Sequence, residues 1–419
     1  MVPPFTRQIE DDLLLLTACE SLSVGQKQSL ERMLASGAVD WMRLKHLAQT
    51  HGTCGLLWRN LKPYMHCLPE RFERQLRKAV DVNNKQSFLF AAELVKLKRL
   101  LELSGIPFLV YKGPSLALQA FGDLGAREYS DLDIIVDRNH VTAVQDLLLA
   151  AGYSSEPIDR VLNKSFMRSK AFRNLAFEQT FSRRTGVDAV ATSFIDIHWE
   201  VGPPHVISLE FETLKQHSTE LNILNHSFNC MKAEILVVLL ACHAMKHQWL
   251  QLKWVSDIAA LITRNPHLDW QQSYELARRF GVATKLDFAL SLCAELPEFI
   301  EQLPPFVVER LKLSDDRLGW LKQMTLESWG RLQPIDSNLR RHWCYELNTF
   351  DSHVSTASAT WHEFAKPDMP TYLRLPLPES LFPLYHFIRP YFTVKDFVAA
   401  RMRAASSNRS TAHTAVAQL

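Results

Sequence analysis

Ser130-Asp131-Leu132-Asp133-Ile134-Ile135-Val136 is the stretch on which the reading of this chain turns. As a β-strand its side chains alternate, so Asp131 and Asp133 share one face while Leu132, Ile134 and Val136 share the other. Two carboxylates roughly five to seven ångströms apart on one face repel each other, and a cation held between them relieves the repulsion. An isolated Asp-x-Asp at a strand start is also common as a turn or cap, so its neighbours must decide.

Working outward, Ile106 to Tyr111 is a short buried-strand candidate, followed by Lys112-Gly113-Pro114-Ser115 at a strand-to-helix junction. The free N–H groups of a helix start attract phosphate. Gly113 allows close approach, Lys112 and Ser115 are within reach of phosphate oxygens, and Pro114 opens a helix through Phe121. The polar loop from Gly122 to Ser130 carries Arg127, whose guanidinium either clamps phosphate or pairs with Asp123 or Glu128. Downstream, Ile195-Asp196-Ile197-His198-Trp199-Glu200 alternates again, which puts Asp196, His198 and Glu200 on one face. His198 then contacts base or acceptor, or serves as a hydrogen-bonded neighbour. Magnesium prefers carboxylates plus phosphate oxygens. Two such ions on Asp131, Asp133 and Asp196, with manganese as a substitute, suit in-line attack on the α-phosphate of a nucleoside triphosphate.

Both flanks are helical. Leucines recur at three- and four-residue spacing from about Ile9 to Ser104, and the last helix there runs from Glu70 to Leu103, before Gly105. Another helix follows the Asp131 strand, from about His140 to Ala151; strands follow at Asn174–Arg183 and Ser193–Val201, with a turn around Gly186. From about Ser208 helix returns, clearest at Lys232–His247, Leu252–Arg264, Trp270–Phe280 and Val282–Glu295, with Asp269 as an N-cap and Gly281 as a divider. Pro367, Pro370, Pro376 and Pro378 predict an extended segment laid over the core. The resulting boundaries are a helical region at 1–104, the core at 105–205, a helical domain at 206–330, a Pro- and aromatic-rich segment at 331–404 and a disordered tail at 405–419.

Bulk properties narrow the classes, though they do not exclude nucleic acid as a partner. A net charge of +2 demands neither nucleic acid nor an anionic membrane as partner. The 7 cysteines are scattered, with no CxxC pair and no zinc spacing, which fits a reducing cytoplasm. The start of the chain lacks the basic-then-apolar order of a signal peptide, and the longest apolar run, Ile235 to Ala241, is far too short for a bilayer.

At this point a resemblance appears. Lys112-Gly113, Phe121-Gly122-Asp123, Arg127 and Ser130-Asp131-Leu132-Asp133 resemble the signature of an uncharacterised nucleotidyltransferase family within the polymerase-β superfamily. Asp196-Ile197-His198-Trp199 is similar to its third-acid strand. His243-Ala244-Met245-Lys246-His247-Gln248-Trp249 with Leu252-Lys253-Trp254 and Asp257 is similar to its helical block, and Leu384-Tyr385 with Arg389-Pro390 to its C-terminal segment. The broader superfamily places a Gly-Ser or Gly-Gly turn nearer the acids, whereas Gly113 lies eighteen residues before Asp131 (113 to 131).

The resemblance implies an α+β fold: a polymerase-β-type nucleotidyltransferase core, a small mixed sheet with helices, flanked by helical regions on both sides. It implies transfer of a nucleoside monophosphate to a hydroxyl or phosphate of a small-molecule or peptide acceptor, with pyrophosphate released. Asp131, Asp133 and Asp196 would be catalytic metal ligands, and Lys112, Gly113, Ser115, Arg127, Ser130, His198 and Lys246 the nucleotide contacts. The rival readings are a nucleotide-sensing scaffold without turnover and a phosphoryl or pyrophosphoryl transferase on the same metal site. His243 and His247, at i and i+4, resemble half a zinc site but lack the glutamate of a metalloprotease helix. A polar seam of His243, Lys246 and Asp257 fits better, in which Lys246 reaches the triphosphate or pairs with Asp257.

Overall fold

Leucine spacing folds the first hundred residues into helices α1 (Ile9–Thr17), α2 (Val24–Ala35), α3 (Trp41–His51), α4 (Cys54–Leu61) and the 34-residue α5 (Glu70–Leu103). The computed structural model describes residues 7–155, 164–185, 191–202, 206–312, 316–330, 344–345, 348–396 and 398. Helix ends carry the expected chemistry. The Ser23 hydroxyl accepts from the Gln26 amide while the Gln26 side chain accepts from the Ser23 amide, a reciprocal cap on α2. Asp40 caps α3 by accepting from the Met42 and Arg43 amides. Along α5 the buried stripe Phe72, Leu76, Val80, Phe90, Leu94, Leu97 and Leu101 follows helical spacing.

The mixed sheet then forms. Its strands are β1 (Phe108–Val110), β2 (Leu132–Val136), β3 (Glu178–Thr185), β4 (Ala191–His198), β5 (Ser218–Ile223) and β6 (His226–Met231), in the spatial order β3-β4-β2-β1-β6-β5. Helices α6 (Pro114–Phe121) and α7 (Val141–Ala150) flank β2 in sequence. β2 runs parallel to β4 and antiparallel to β1, and β1 runs parallel to β6. This is the α+β core that the sequence implies.

Two differences from expectation have local causes. β3 begins at Glu178 rather than Asn174, because the preceding residues form two short helices, α8 (Lys164–Met167) and α9 (Lys170–Leu175), the latter capped by Ser169. The sheet also extends past residue 205 through the β5–β6 hairpin. Leu224 and Asn225 both have positive φ there (50° and 63°), as a two-residue hairpin turn requires. The turn residues 186–190 around Gly186 and the tail 405–419 lie outside the described residues.

Helices resume as α10 (Phe211–Gln216), α11 (Ala233–Lys246), α12 (Lys253–Arg264), α13 (Trp270–Arg279), α14 (Ala283–Cys293), α15 (Pro305–Lys312) and α16 (Asp316–Trp329). α11 is apolar all round, with every residue from Ile235 to Cys242 buried. Asp269 caps α13 by accepting from the Gln272 amide at 2.9 Å. Among the described residues no helix is long and apolar enough to cross a membrane.

The chain divides into two units. One comprises Met1–Glu156 and Phe177–Ser352, and holds the sheet; the other comprises Pro157–Ala176 and His353–Leu419. The second unit corrects the expected extended segment. Residues His353–Ala365 and Met369–Arg374 are helices, with a 3-10 turn at Glu379–Leu384. The prolines punctuate instead of extending the chain: Pro370 sits in a first turn behind the Asp368 cap, and Pro378 precedes the 3-10 turn. Phe166 and Tyr372 stack at 4.0 Å within this unit.

Candidate active site

Parallel pairing of β2 and β4 builds the centre of the site by placing Asp133 directly opposite Asp196. Asp133 is 3% exposed and Asp196 is half-buried. Asp131 is half-buried just before β2, and Ser130 beside it is exposed. His198 ends β4 and its Nε2 lies 3.0 Å from Asp133 Oδ1. Ligand atoms of Asp133, Asp196 and His198 all fall within 4.8 Å of one another. The sequence put Asp131 in this trio; the structure brings His198 into it and leaves Asp131 alongside. Glu200 leaves the shared face because β4 stops at His198; its carboxylate instead accepts from the Ser208 hydroxyl at 3.1 Å.

The turn after β1 is shaped for contact with β2. Gly113 has φ +64°, and a Cβ there would stand 3.1 Å from the Asp131 carbonyl oxygen, so both conformation and space call for glycine. Ser115 is wholly buried and its Oγ donates to the Lys112 carbonyl at 3.0 Å. It locks the turn and does not reach outward as the sequence suggested. Lys112 points inward: its Nζ lies 3.0 Å from Asp133 Oδ1 and 3.4 Å from His243 Nδ1.

Arg127 pairs with neither Asp123 nor Glu128. Its Nε donates to both oxygens of Asp257 on α12 at 2.9 Å. Asp123 is taken by Arg59, and Glu128 accepts from the Cys54 amide that opens α4. The expected Lys246–Asp257 pair is therefore replaced, because Arg127 already satisfies Asp257. Lys246 instead lies 3.5 Å from Glu178 and over the Phe177 ring. Glu178 also sits 3.2 Å from His198 Nδ1, an ion-pair distance without hydrogen-bond alignment. Sequence reading missed Glu178; its signal is register, since it faces His198 across the β3–β4 ladder.

The electrostatics follow from burial and neighbours. Burial, then the Asp133 charge, pushes the Asp131 carboxyl up to about 6, with Lys112 opposing. Burial would raise Asp133 too, but Lys112 and His198 overrule it and hold that carboxyl below the usual range. Asp196 is raised by burial and by Asp133, against a hydrogen bond from Thr180. His243 is lowered well below its ordinary value by burial, then by Lys112 and His247, so its neutral ring can accept from the Lys112 ammonium. His247 is pushed down to about 4 by burial and Lys246, and its ring stacks on Trp254 at 5.3 Å. Trp249 is core, at 0% exposure. Nothing joins His243 and His247 into a metal group among the described residues.

The donor set fits a divalent cation. Among the described residues Asp196 Oδ1 is buried with no hydrogen-bond partner, an arrangement that costs about 1–3 kcal/mol or more for a charged group. A cation facing Asp133, Asp196 and His198 would satisfy that oxygen. The ion's identity does not follow from two oxygens and a nitrogen.

Comparison with known families matches residues 37–297 to the family described as "Uncharacterised nucleotidyltransferase". The matched span contains all six strands together with Lys112, Asp131, Asp133, Asp196, His198 and Asp257. No curated protein matches the chain.

Proposed function

The chain belongs to the family of uncharacterised nucleotidyltransferases, and from that premise we propose that it transfers a nucleoside monophosphate from a nucleoside triphosphate to an acceptor. The acceptor group is a hydroxyl or phosphate of a small molecule or peptide, and pyrophosphate leaves. The observation that carries this reading is Asp133 opposite Asp196 in register, with Asp196 Oδ1 buried and unpartnered among the described residues.

Asp133 and Asp196, with Asp131 beside them, hold magnesium, for which manganese can substitute. When bound, the metal lowers the pKa of the attacking hydroxyl and neutralises phosphate charge. The remaining work belongs to the chain. Arg127 is fixed at Nε by Asp257, and among the described residues nothing hydrogen-bonds its two Nη groups, so they are left for phosphate. Lys246, 34% exposed and 3.5 Å from Glu178, adds a second cation. Gly113 lies against the Asp131 carbonyl, so the start of α6, whose free N–H groups suit phosphate, begins beside the acids.

The decisive experiment is incubation of the protein with each nucleoside triphosphate, labelled at either the α- or the γ-phosphate, with magnesium and a cell extract. An α-labelled adduct with pyrophosphate release supports nucleotidyl transfer, whereas a γ-labelled adduct makes the protein a phosphoryl transferase. A second reading, nucleotide sensing without turnover, draws on one observation: Lys112 and His198 both hold the same Asp133 oxygen. Tight nucleotide binding without any adduct would establish that reading.

A further inference from the structure

Lys112 does something at this site that phosphate binding alone does not explain. Its ammonium is directed at an acid and not at open space. The side chain is 9% exposed, and Nζ lies 3.0 Å from Asp133 Oδ1, closer than the 3.4 Å to His243 Nδ1. On its other side His243 Nδ1 accepts at 3.4 Å, which holds the ammonium between a carboxylate and a neutral imidazole. The Tyr111 ring lies 5.0 Å from the same nitrogen. Lys112 lies between the end of β1 at Val110 and the Gly113 turn, and its charge sits on a flexible four-carbon stem.

We infer that Lys112 is a resident counter-cation of the metal site, neutralising Asp133 at rest and competing with the incoming metal for that carboxylate. The inference rests on the metal-site reading above and deepens it. A magnesium ion takes carboxylate oxygens at about 2.0–2.1 Å, which sets its double charge within a few ångströms of the ammonium. Like charges that close are strongly unfavourable at any realistic interior dielectric. Metal therefore enters at the expense of the Lys112–Asp133 contact, and a phosphate chain is the anion suited to receive the released ammonium. A lysine that merely positions Asp133 for the metal makes the opposite prediction, because its removal then leaves metal binding unchanged or weaker.

The test uses manganese alone, titrated into the full chain and followed by the electron paramagnetic resonance of free Mn2+. Lys112→Met should bind Mn2+ at least about tenfold tighter than wild type, since a close positive charge has gone. Lys112→Arg, which keeps the charge, should stay near wild type. Lys112→Gln keeps a neutral donor to Asp133 and provides the comparison if the Met variant fails to fold, which circular dichroism would reveal. Adding Asp133→Asn to either variant should abolish the gain. Equal or weaker binding in both neutral variants, with Asp133→Asn still abolishing it, overturns the counter-cation and leaves the metal site standing. Binding indifferent to Asp133→Asn, or absent from every variant, overturns both.

Discussion

Consider replacing Asp257 with asparagine. Arg127 Nε sits 2.9 Å from both carboxylate oxygens, and the two side chains are 7% and 2% exposed. At that distance and an effective dielectric of about 20, the attraction is about 6 kcal/mol. Removing two ions from water costs several kcal/mol each, so the intact pair contributes little net stability. Loss of one partner is another matter: it strands a buried guanidinium, which typically costs about 3–5 kcal/mol. Asp257→Asn preserves shape and one acceptor oxygen, so nearly all of the loss reflects charge. Urea denaturation followed by tryptophan fluorescence should show a fall of about 3–5 kcal/mol for Asp257→Asn and a similar fall for Arg127→Met. The double variant Arg127→Met with Asp257→Leu should lose much less than the sum of the single losses, because no charge is left unpaired. The pair also ties the loop before β2 to α12, so both single variants should bind triphosphate more weakly. A single-variant cost below about 1 kcal/mol, the range of solvated surface pairs, would refute the claim that this pair is buried and structural.

Three further outcomes are expected. Asp196→Asn should abolish Mn2+ binding by calorimetry while the metal-free melting temperature holds or rises, because the lost charge is one that burial disfavours. Lys246→Ala should cost under about 1 kcal/mol in stability, as a half-exposed pair at 3.5 Å would, yet weaken triphosphate binding by about 1–3 kcal/mol; a large stability loss with unchanged affinity would return Lys246 to the scaffold. His51 is buried neutral, with Nδ1 accepting from the Leu252 amide and Nε2 donating to the Trp329 carbonyl, and burial pushes its pKa down to about 4 despite nearby Asp11. Its contribution is thus fully present above pH ~6.5 and is lost as pH falls from there towards about 4, by about 3 kcal/mol in all. Denaturation curves of wild type and His51→Gln that stay parallel between pH 7 and pH 4.5 would reject it.

Much of the site was legible because strands make face assignment a matter of parity. Alternation puts Asp131 and Asp133 on one face, and the Lys112-Gly113 turn before them with a second alternating run at Asp196 and His198 marks that face as a candidate site. Alternation does not say which strands pair, and pairing is what sets Asp133 beside Asp196 and His198 and leaves Asp131 outside that trio. Partner choice was the other gap. Arg127 had acids four residues before it and one residue after it, Asp123 and Glu128, yet it bonds Asp257, 130 residues further on. Local proximity is a poor guide here, since Asp123 and Glu128 had other obligations to Arg59 and to the open end of α4. The β5–β6 hairpin was missed because its strands carry exposed polar residues and its turn uses Leu224-Asn225 in place of a glycine pair; the alternation from Ser218 to Met231 was the available signal.

The distribution of charge argues for which species the site receives. Three cations of the site are already matched in the resting protein: Lys112 by Asp133, Arg127 by Asp257, Lys246 by Glu178. A free triphosphate therefore meets cations whose charge is partly cancelled, and would leave Asp131 and Asp196 facing its own negative oxygens. A free divalent metal meets the reverse problem, because Asp133, the most central acid, is neutralised by Lys112. On the proposed reading only the two together resolve the site. Metal charge compensates Asp131 and Asp196, which burial has raised and which therefore gain most from a cation, while phosphate oxygens take up Lys112 and the Nη groups of Arg127. A metal–triphosphate complex satisfies at once both the buried oxygen of Asp196 and the donors displaced from the acids, and neither component does so alone.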